Sequence, residues 1–291
     1  MSLDPAALLG ARRIMVAANG IDFEVYEAGE GERLALLLHG FPQHAIMWRH
    51  QIAPLVAKGY RVWAVNQRGY GDTTRPAEVA AYGLATLAQD VAALIDASGA
   101  TRVSLVAHDW GGFVAWAFAA WRLRPIEKLA FLNIPHPRCF ARALKGWRQK
   151  TRSAYAAFFQ LPRAPEWLLT AGGGVVPAYM FRHSASRVDA IPAEIAEFYC
   201  ARICAPGAAT TMLNWYRAAG DDLFTTQGLS APVEAPTLIV WGERDIALGV
   251  ECLTGTERYV ADLRVERLPG VSHWVAEDAP ERVNALLAAF L

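Results

Sequence analysis

The sequence predicts an α/β protein with a mostly parallel central sheet, helices on both faces and an inserted helical cap. Two observations predict this class. Short apolar runs typical of buried strands alternate with helical stretches of ten or more residues, which favours parallel βαβ units. Between about residues 137 and 227 this alternation stops, and helix-like stretches broken by proline and glycine replace it. We therefore expect a core domain of residues 1–136 and 227–291 and a helical cap of residues 137–226.

The first predicted element is a β-hairpin. Residues 13–18 and 21–28 flank Asn19-Gly20, a dipeptide that favours a tight hairpin turn. A continuous apolar run at residues 34–39 is typical of a strand buried on both faces. Similar strands are predicted further along the chain at residues 61–66, 103–107, 129–134, 237–241 and 264–268. The predicted helices of the core cover about residues 47–57, 84–98 and 280–290.

The composition indicates one globular protein with a large apolar core. The 291 residues are 54% hydrophobic, and 28 Lys and Arg balance 28 Asp and Glu. Because the net charge is zero, we expect neither a nucleic acid nor a membrane as a partner. The longest apolar runs fall short of the roughly 20 residues that span a bilayer, and the N terminus lacks the order of a signal peptide. We expect a cytoplasmic monomer or homodimer.

The four cysteines, Cys139, Cys200, Cys204 and Cys252, do not form the disulfide framework of a small secreted protein. Cys200 and Cys204 lie four residues apart on a predicted helix, a spacing that could suggest a metal site. No second pair of His or Cys with matching spacing lies nearby in the sequence. We therefore expect free thiols, no metal and no cofactor.

Asp109 is the first candidate for chemistry, since it directly follows a predicted strand and begins a helix. Ala107 and Gly111 flank it at a distance of two residues on either side. Small residues at these positions permit the sharp strand-to-helix turn on which many hydrolases carry a nucleophilic serine. An aspartate at the start of a helix can instead be a simple N-cap. This segment alone does not decide between the two interpretations.

Two further polar residues follow later strands of the predicted sheet. Asp245 comes after the strand at residues 237–241, and His273 comes after the last strand. Because ligands bind beyond the carboxyl ends of the strands in an open parallel sheet, we expect both residues near Asp109. The chain order nucleophile, acid, histidine belongs to this fold class. Glu243 is a rival for the acid, but Asp245 lies further into its loop and is favoured.

These residues predict a reaction at a saturated carbon. A carboxylate is already ionised at neutral pH, so Asp109 can attack directly and form an ester, which water activated by His273 then hydrolyses. The backbone N–H groups of Phe41 and Trp110 are expected to form the oxyanion hole for that second step. An epoxide or a carbon–halogen bond fits as the electrophile, whereas an ordinary ester does not.

Four segments together resemble the epoxide hydrolases of the α/β-hydrolase superfamily, namely His39-Gly-Phe-Pro42, Arg68-Gly-Tyr-Gly-Asp72, His108-Asp-Trp-Gly-Gly112 and Gly270-Val-Ser-His-Trp274. The resemblance spans essentially the whole chain and implies that the insertion is the family's helical cap. That family supplies two cap tyrosines, which donate to the epoxide oxygen, and Tyr155 and Tyr216 stand in matching segments. The resemblance thus implies hydrolysis of a small apolar epoxide to a vicinal diol. We expect the substrate pocket to include His39, Pro42, Phe158, Phe159, Trp215 and Trp274.

A haloalkane dehalogenase with the same triad is the main alternative. Members of that family hold the halide with the Trp after the nucleophile and either an Asn in the first loop or a second Trp in the cap. Trp110 matches the first donor, and Phe41 stands where the Asn would be. The cap tryptophans that leave a second donor open are Trp147, Trp167 and Trp215.

Two weaker alternatives remain. Fluoroacetate dehalogenases place arginines just after the nucleophile, where this chain has Trp110-Gly111. A non-catalytic binder of a hydrophobic small molecule would be expected to lose the base or the acid, and both His273 and Asp245 are present.

Overall fold

The computed structural model describes residues 3–219 and 229–291. At its centre these residues form an eight-stranded sheet with the strand order β1-β2-β4-β3-β5-β6-β7-β8. Strand β2 pairs antiparallel with β1 and β4, and all other neighbours are parallel. The strands are β1 (Arg12–Ala18), β2 (Ile21–Ala28), β3 (Arg33–Leu38), β4 (Arg61–Val65), β5 (Arg102–His108), β6 (Lys128–Leu132), β7 (Thr237–Gly242) and β8 (Leu263–Leu268). The predicted mostly parallel α/β sheet is confirmed.

The local sequence explains these strands. Asn19 and Gly20 adopt positive φ angles of 43° and 77°, as the predicted tight hairpin turn between β1 and β2 requires. The central strands β3, β5, β6 and β7 are almost entirely buried, because helices cover both faces of a parallel sheet. Their apolar side chains form the main core of the molecule.

The core helices agree with the predictions at most positions. They are α1 (Pro5–Leu9), α2 (Ile52–Ala57), α3 (Leu84–Ser98), α4 (Asp109–Ala120), α12 (Val275–Asp278) and α13 (Pro280–Phe290). The bounds of α3 and α13 are those predicted. The helix predicted at residues 47–57 is instead a 3-10 turn at Ala45–Trp48 followed by α2.

Helices also fill the chain between β6 and β7 in the described residues. They are α5 (Pro137–Ala143), α6 (Trp147–Arg152), α7 (Ala154–Phe158), α8 (Ala164–Thr170), α9 (Val175–Ser184), α10 (Ala193–Ile203) and α11 (Ala208–Ala219). The predicted end of the cap at residue 226 lies outside the described residues. The division into a core domain and a cap domain stays a prediction.

The sheet topology determines where chemistry can occur. Strands β3, β5, β6, β7 and β8 are parallel neighbours, so the loops after their carboxyl ends lie along one edge of the sheet. The chain directly after β3, β5, β7 and β8 carries the predicted triad and oxyanion-hole residues, whereas the predicted donors Tyr155 and Tyr216 lie on α7 and α11. Within the described ranges, no helix has the length and apolar character needed to cross a membrane.

Candidate active site

Asp109 lies at a strained turn between β5 and α4. Its φ angle is 48°, a left-handed conformation that is costly for a residue with a side chain. The turn fits only because its neighbours are small. A Cβ atom added to Gly40 would lie 2.3 Å from Cβ of Asp109, and one added to Gly111 would lie 2.5 Å from the carbonyl oxygen of His39. The N-cap of α4 is His108, so the simple N-cap interpretation of Asp109 does not describe this turn.

One oxygen of the Asp109 carboxylate is already hydrogen-bonded. The Phe41 N–H donates to its Oδ1 over 2.8 Å. Burial raises the pKa of Asp109, and the charge of His273 and the backbone N–H groups of Trp110 and Phe41 oppose this rise without cancelling it. The two N–H groups predicted to form an oxyanion hole therefore both act on this side chain.

His273 connects Asp109 with Asp245. Its Nδ1 lies 2.6 Å from Oδ2 of Asp245, and its Nε2 lies 3.7 Å from Oδ2 of Asp109. An ionised carboxylate only accepts hydrogen bonds, so Nδ1 carries a proton. Burial lowers the pKa of His273, but the charges of Asp245 and Asp109 outweigh burial and raise that pKa to about 9. The rival acid Glu243 forms an ion pair with Arg267 over 2.7 Å instead.

Asp245 is held by three further donors. Its Oδ1 accepts from the backbone N–H groups of Ala247 and Leu248, at 2.7 and 2.8 Å. Its Oδ2 accepts from the side-chain amide of Asn133 over 2.7 Å. Both oxygens of this carboxylate are therefore held in place, Oδ2 beside His273 and Oδ1 by the backbone.

Asn133 is a further residue of the site that was not predicted from the sequence. It is fully buried, has a φ angle of 42°, and also exchanges hydrogen bonds with the backbone of Gly242. The prediction placed it inside a strand at residues 129–134, but β6 ends at Leu132 because the left-handed residue interrupts the extended chain. A polar residue at the carboxyl end of an apolar run was the available signal.

A cavity of about 610 Å³ opens above Asp109. Ten of its fifteen lining residues come from residues 137–219, seven of them from the helices of that segment, so this segment shapes most of the wall. The lining residues are Asp109, Trp110, Phe113, Ile134, Phe140, Leu144, Lys150, Ser153, Ala154, Tyr155, Ala156, Ala157, Gln160, Tyr216 and Leu248. The wall is mostly apolar, as in sites for small organic ligands.

Tyr155 and Tyr216 both line this cavity together with Asp109. Their ring centroids lie 6.0 Å apart, and the ring of Tyr216 meets those of Trp110 and Phe41 edge-on. Tyr155 is 38% exposed, yet its phenol group lies deep enough for burial, together with the charge of Asp109, to raise its pKa. Burial and the nearby Tyr155 and Asp109 likewise raise the pKa of Tyr216. Both phenols are therefore protonated at neutral pH.

The cavity corrects the predicted pocket lining, because none of the six residues expected there lies on its wall. These residues are His39, Pro42, Phe158, Phe159, Trp215 and Trp274. Other contacts hold them away from it. Trp215 donates its indole N–H to the Arg68 carbonyl, and Trp274 donates to the Ser184 hydroxyl. The ring of Phe159 packs edge-on against that of Tyr216, with the ring centroids 5.0 Å apart.

The cysteines are all free, and Cys139, Cys200 and Cys252 are buried. Among residues 3–219 and 229–291, no group of three or more His, Cys, Asp or Glu side chains is arranged to hold a metal ion.

Comparisons with known proteins show the family of this chain. The family model described as the α/β hydrolase fold matches residues 36–280. The chain is 35% identical to epoxide hydrolase 4 of Mus musculus over 286 residues, which are 96% of this chain and 78% of that protein. It is also 35% identical to the AB hydrolase superfamily protein YfhM of Bacillus subtilis, over 97% of this chain and 98% of that protein.

A solved structure shares the whole architecture. An epoxide hydrolase from Bacillus megaterium, in a mutant form complexed with its product (R)-3-[1]naphthyloxy-propane-1,2-diol, matches with a TM-score of 0.84 and 27% sequence identity. The match covers 95% of this chain and 99% of that one. The chain therefore belongs to the α/β hydrolase fold family and, within it, to the epoxide hydrolases.

Proposed function

We propose that the protein hydrolyses a small apolar epoxide to a vicinal diol through a covalent ester on Asp109. One observation carries the proposal. Oδ1 of Asp109 is bound by the Phe41 N–H, whereas Oδ2 faces His273 in a cavity that also contains two tyrosines. In the proposed reaction, Oδ1 becomes the carbonyl oxygen of the ester and Oδ2 is the attacking atom.

In the first step, Oδ2 of Asp109 attacks an epoxide carbon and the carbon–oxygen bond of the ring breaks. The electron pair of that bond goes to the ring oxygen, which takes a proton from Tyr155 or Tyr216. A phenol is a stronger acid than the alcohol that forms, and the raised pKa values of both tyrosines ensure that they begin protonated. The product of this step is an alkyl ester of Asp109.

In the second step, His273 takes a proton from water, whose oxygen attacks the ester carbonyl carbon. Alkylation itself prepares the base. The ester is neutral, so one of the two negative charges that hold the proton on His273 disappears. The pKa of His273 falls from about 9, and its second proton passes to the tyrosinate left by the first step. The tetrahedral oxyanion forms at Oδ1, where the N–H groups of Phe41 and Trp110 stabilise it. As this intermediate collapses, the bond between the carbonyl carbon and the substrate oxygen breaks, and that oxygen takes the proton from His273. The new carboxylic acid of Asp109 then gives its proton to His273, so the diol is released and the starting charges of Asp109 and His273 are restored.

Among the described residues, none of the tryptophans that the haloalkane dehalogenase alternative would need is a second halide donor. Trp147 and Trp167 point into solvent, with 71% and 69% of their surface exposed. The indole N–H of Trp215 is bound to the Arg68 carbonyl over 3.0 Å, and its ring lies outside the cavity wall. None of the three tryptophans that left this alternative open is placed to hold a halide.

The covalent step is tested by intact mass spectrometry of the variant His273→Gln. This variant keeps the nucleophile but loses the base, so after incubation with styrene oxide its mass should increase by one epoxide molecule, located on Asp109. The matched control is His183→Gln, which changes an exposed histidine and should turn over like the wild type without an adduct. Turnover by the wild type with no adduct on the His273 variant contradicts the ester, and absence of turnover by the wild type contradicts epoxide hydrolysis of this substrate.

The proton donors are tested in the same His273→Gln background, where the rate of adduct formation reports only the first step. Tyr155→Phe and Tyr216→Phe should each slow that rate, by up to about 10²–10⁴-fold if one phenol supplies most of the general acid catalysis. Tyr179→Phe is the control, since Tyr179 is exposed and lies outside the cavity wall. Equal rates in all three variants would exclude both tyrosines as donors.

A further inference from the structure

Basic residues are concentrated in one segment of the chain that also contributes to the cavity wall. Residues 142–167 contain six Lys and Arg and a single acid, Glu166, while the remainder of the chain holds the other 22 basic and 27 acidic residues. All six basic side chains are exposed, and none forms a salt bridge with a described residue; they are Arg142, Lys145, Arg148, Lys150, Arg152 and Arg163. The one acid is neutralised by Arg217 at 2.7 Å. The zero net charge of the whole chain therefore conceals a local basic surface.

Large apolar side chains are exposed in the same segment. Of the ten tryptophans, only Trp147 and Trp167 are exposed, and both lie here. Leu161 between them is 49% exposed. Tryptophan and leucine mixed with lysine and arginine are typical of surfaces that lie in the headgroup region of a lipid bilayer.

We propose that the exposed side chains of residues 142–167, the docking face, bind reversibly to the surface of a bilayer that contains anionic lipids. The charge on this face is complementary to such lipids. A second copy of the chain is a poor occupant, because two identical basic faces in contact would repel each other. The face carries no helix that could span the bilayer, so the binding is peripheral.

The segment that carries the docking face also contributes to the cavity wall. Lys150, Ser153, Tyr155 and Gln160 belong to this segment and line the cavity wall. Apolar compounds partition into bilayers, so a docked enzyme would receive an apolar epoxide directly from the lipid. This advantage depends on the proposed function, whereas lipid binding itself does not.

The test is sedimentation of the full chain with lipid vesicles. One set of vesicles contains phosphatidylcholine alone, and the other contains phosphatidylcholine and phosphatidylglycerol. We expect binding to the anionic vesicles in about 0.1 M salt and its loss in about 1 M salt, where the Debye length falls from about 10 to about 3 Å. Lys145→Glu/Arg148→Glu should weaken the binding at least tenfold, because each basic residue near an anionic surface strengthens binding by about fivefold.

Two further variants separate the contribution of the apolar anchors from that of the charge on the docking face. Trp147→Ser/Trp167→Ser should also weaken binding, since it removes the apolar anchors. Arg264→Glu/Arg282→Glu makes the same charge change at exposed positions outside the docking face and should bind like the wild type. Absence of binding to anionic vesicles, equal binding by all variants, or equally tight binding to a single-stranded oligonucleotide would overturn the proposal. Epoxide hydrolysis in free solution is measured separately, so failure of lipid binding is distinguishable from failure of the proposed function.

Discussion

Asp109, His273 and Asp245 form a buried chain of charges. The two carboxylates and the histidine shift each other's protonation equilibria. The two carboxylates keep a proton on His273, and burial raises the pKa of Asp109. The sequence allowed us to predict that these three residues meet, because each follows a parallel strand. Asn133 was not predicted, since its role depends on a left-handed backbone conformation that the residue type does not reveal.

The raised pKa of His273 predicts a pH dependence of stability. Between pH about 6.5, the ordinary value for histidine, and pH about 9, the folded protein keeps this proton and the unfolded chain releases it. The free energy of unfolding should therefore fall as the pH rises through this range, by up to about 3 kcal/mol. Urea denaturation at several pH values measures this, with His273→Gln expected to lack the fall and His183→Gln expected to retain it. A fall of equal size in His273→Gln would assign it to other groups.

At the scale of elements, the strands and the longer core helices could be predicted from apolar periodicity and turn residues. The helices between β6 and β7 were expected as a group, but their individual bounds were not, because short helices depend on tertiary packing more than on propensity. The same reason applies to Phe158 and Phe159, two residues that were predicted to line the cavity and do not. Which side of a short helix faces inward is decided by its neighbours, so Phe158 and Phe159 were chosen where Ala154 and Ala157 line the wall.

The contact between α4 and the segment after β6 predicts a coupled effect on stability. A Cβ atom added to Gly112 would lie 2.2 Å from Cγ2 of Ile134. Isoleucine is stiff at χ1, so Gly112→Ala should cost about 1–3 kcal/mol of unfolding free energy, although alanine is the better helix former by about 1 kcal/mol.

A double-mutant cycle by urea denaturation checks this contact. In the Ile134→Ala background, Gly112→Ala should cost at least about 1 kcal/mol less, because the clashing methyl groups are absent. An identical cost in both backgrounds would show that the contact does not limit the packing of α4.

Across the whole molecule, one buried carboxylate joins three parts of the fold. Glu277, on the short helix after His273, accepts hydrogen bonds from Gln43, from Arg49 and from Tyr199 of α10. Its neighbour Asp278 accepts hydrogen bonds from the backbone N–H of Ser272 and from that of Ser186, which lies between α9 and α10. Glu277 and Asp278 thus link the loop after β3, the loop that carries His273 and the segment between β6 and β7.

The origin of the cavity wall has a consequence for how this enzyme can change over time. The reacting carboxylates and the histidine come from loops at the edge of the sheet, whereas ten of the fifteen wall residues come from one continuous stretch of the gene. Mutation or recombination within that stretch can alter which molecules are accepted while leaving Asp109, His273 and Asp245 untouched, provided that Tyr155 and Tyr216 are kept. Selectivity can therefore evolve, or be grafted from a relative, separately from reactivity.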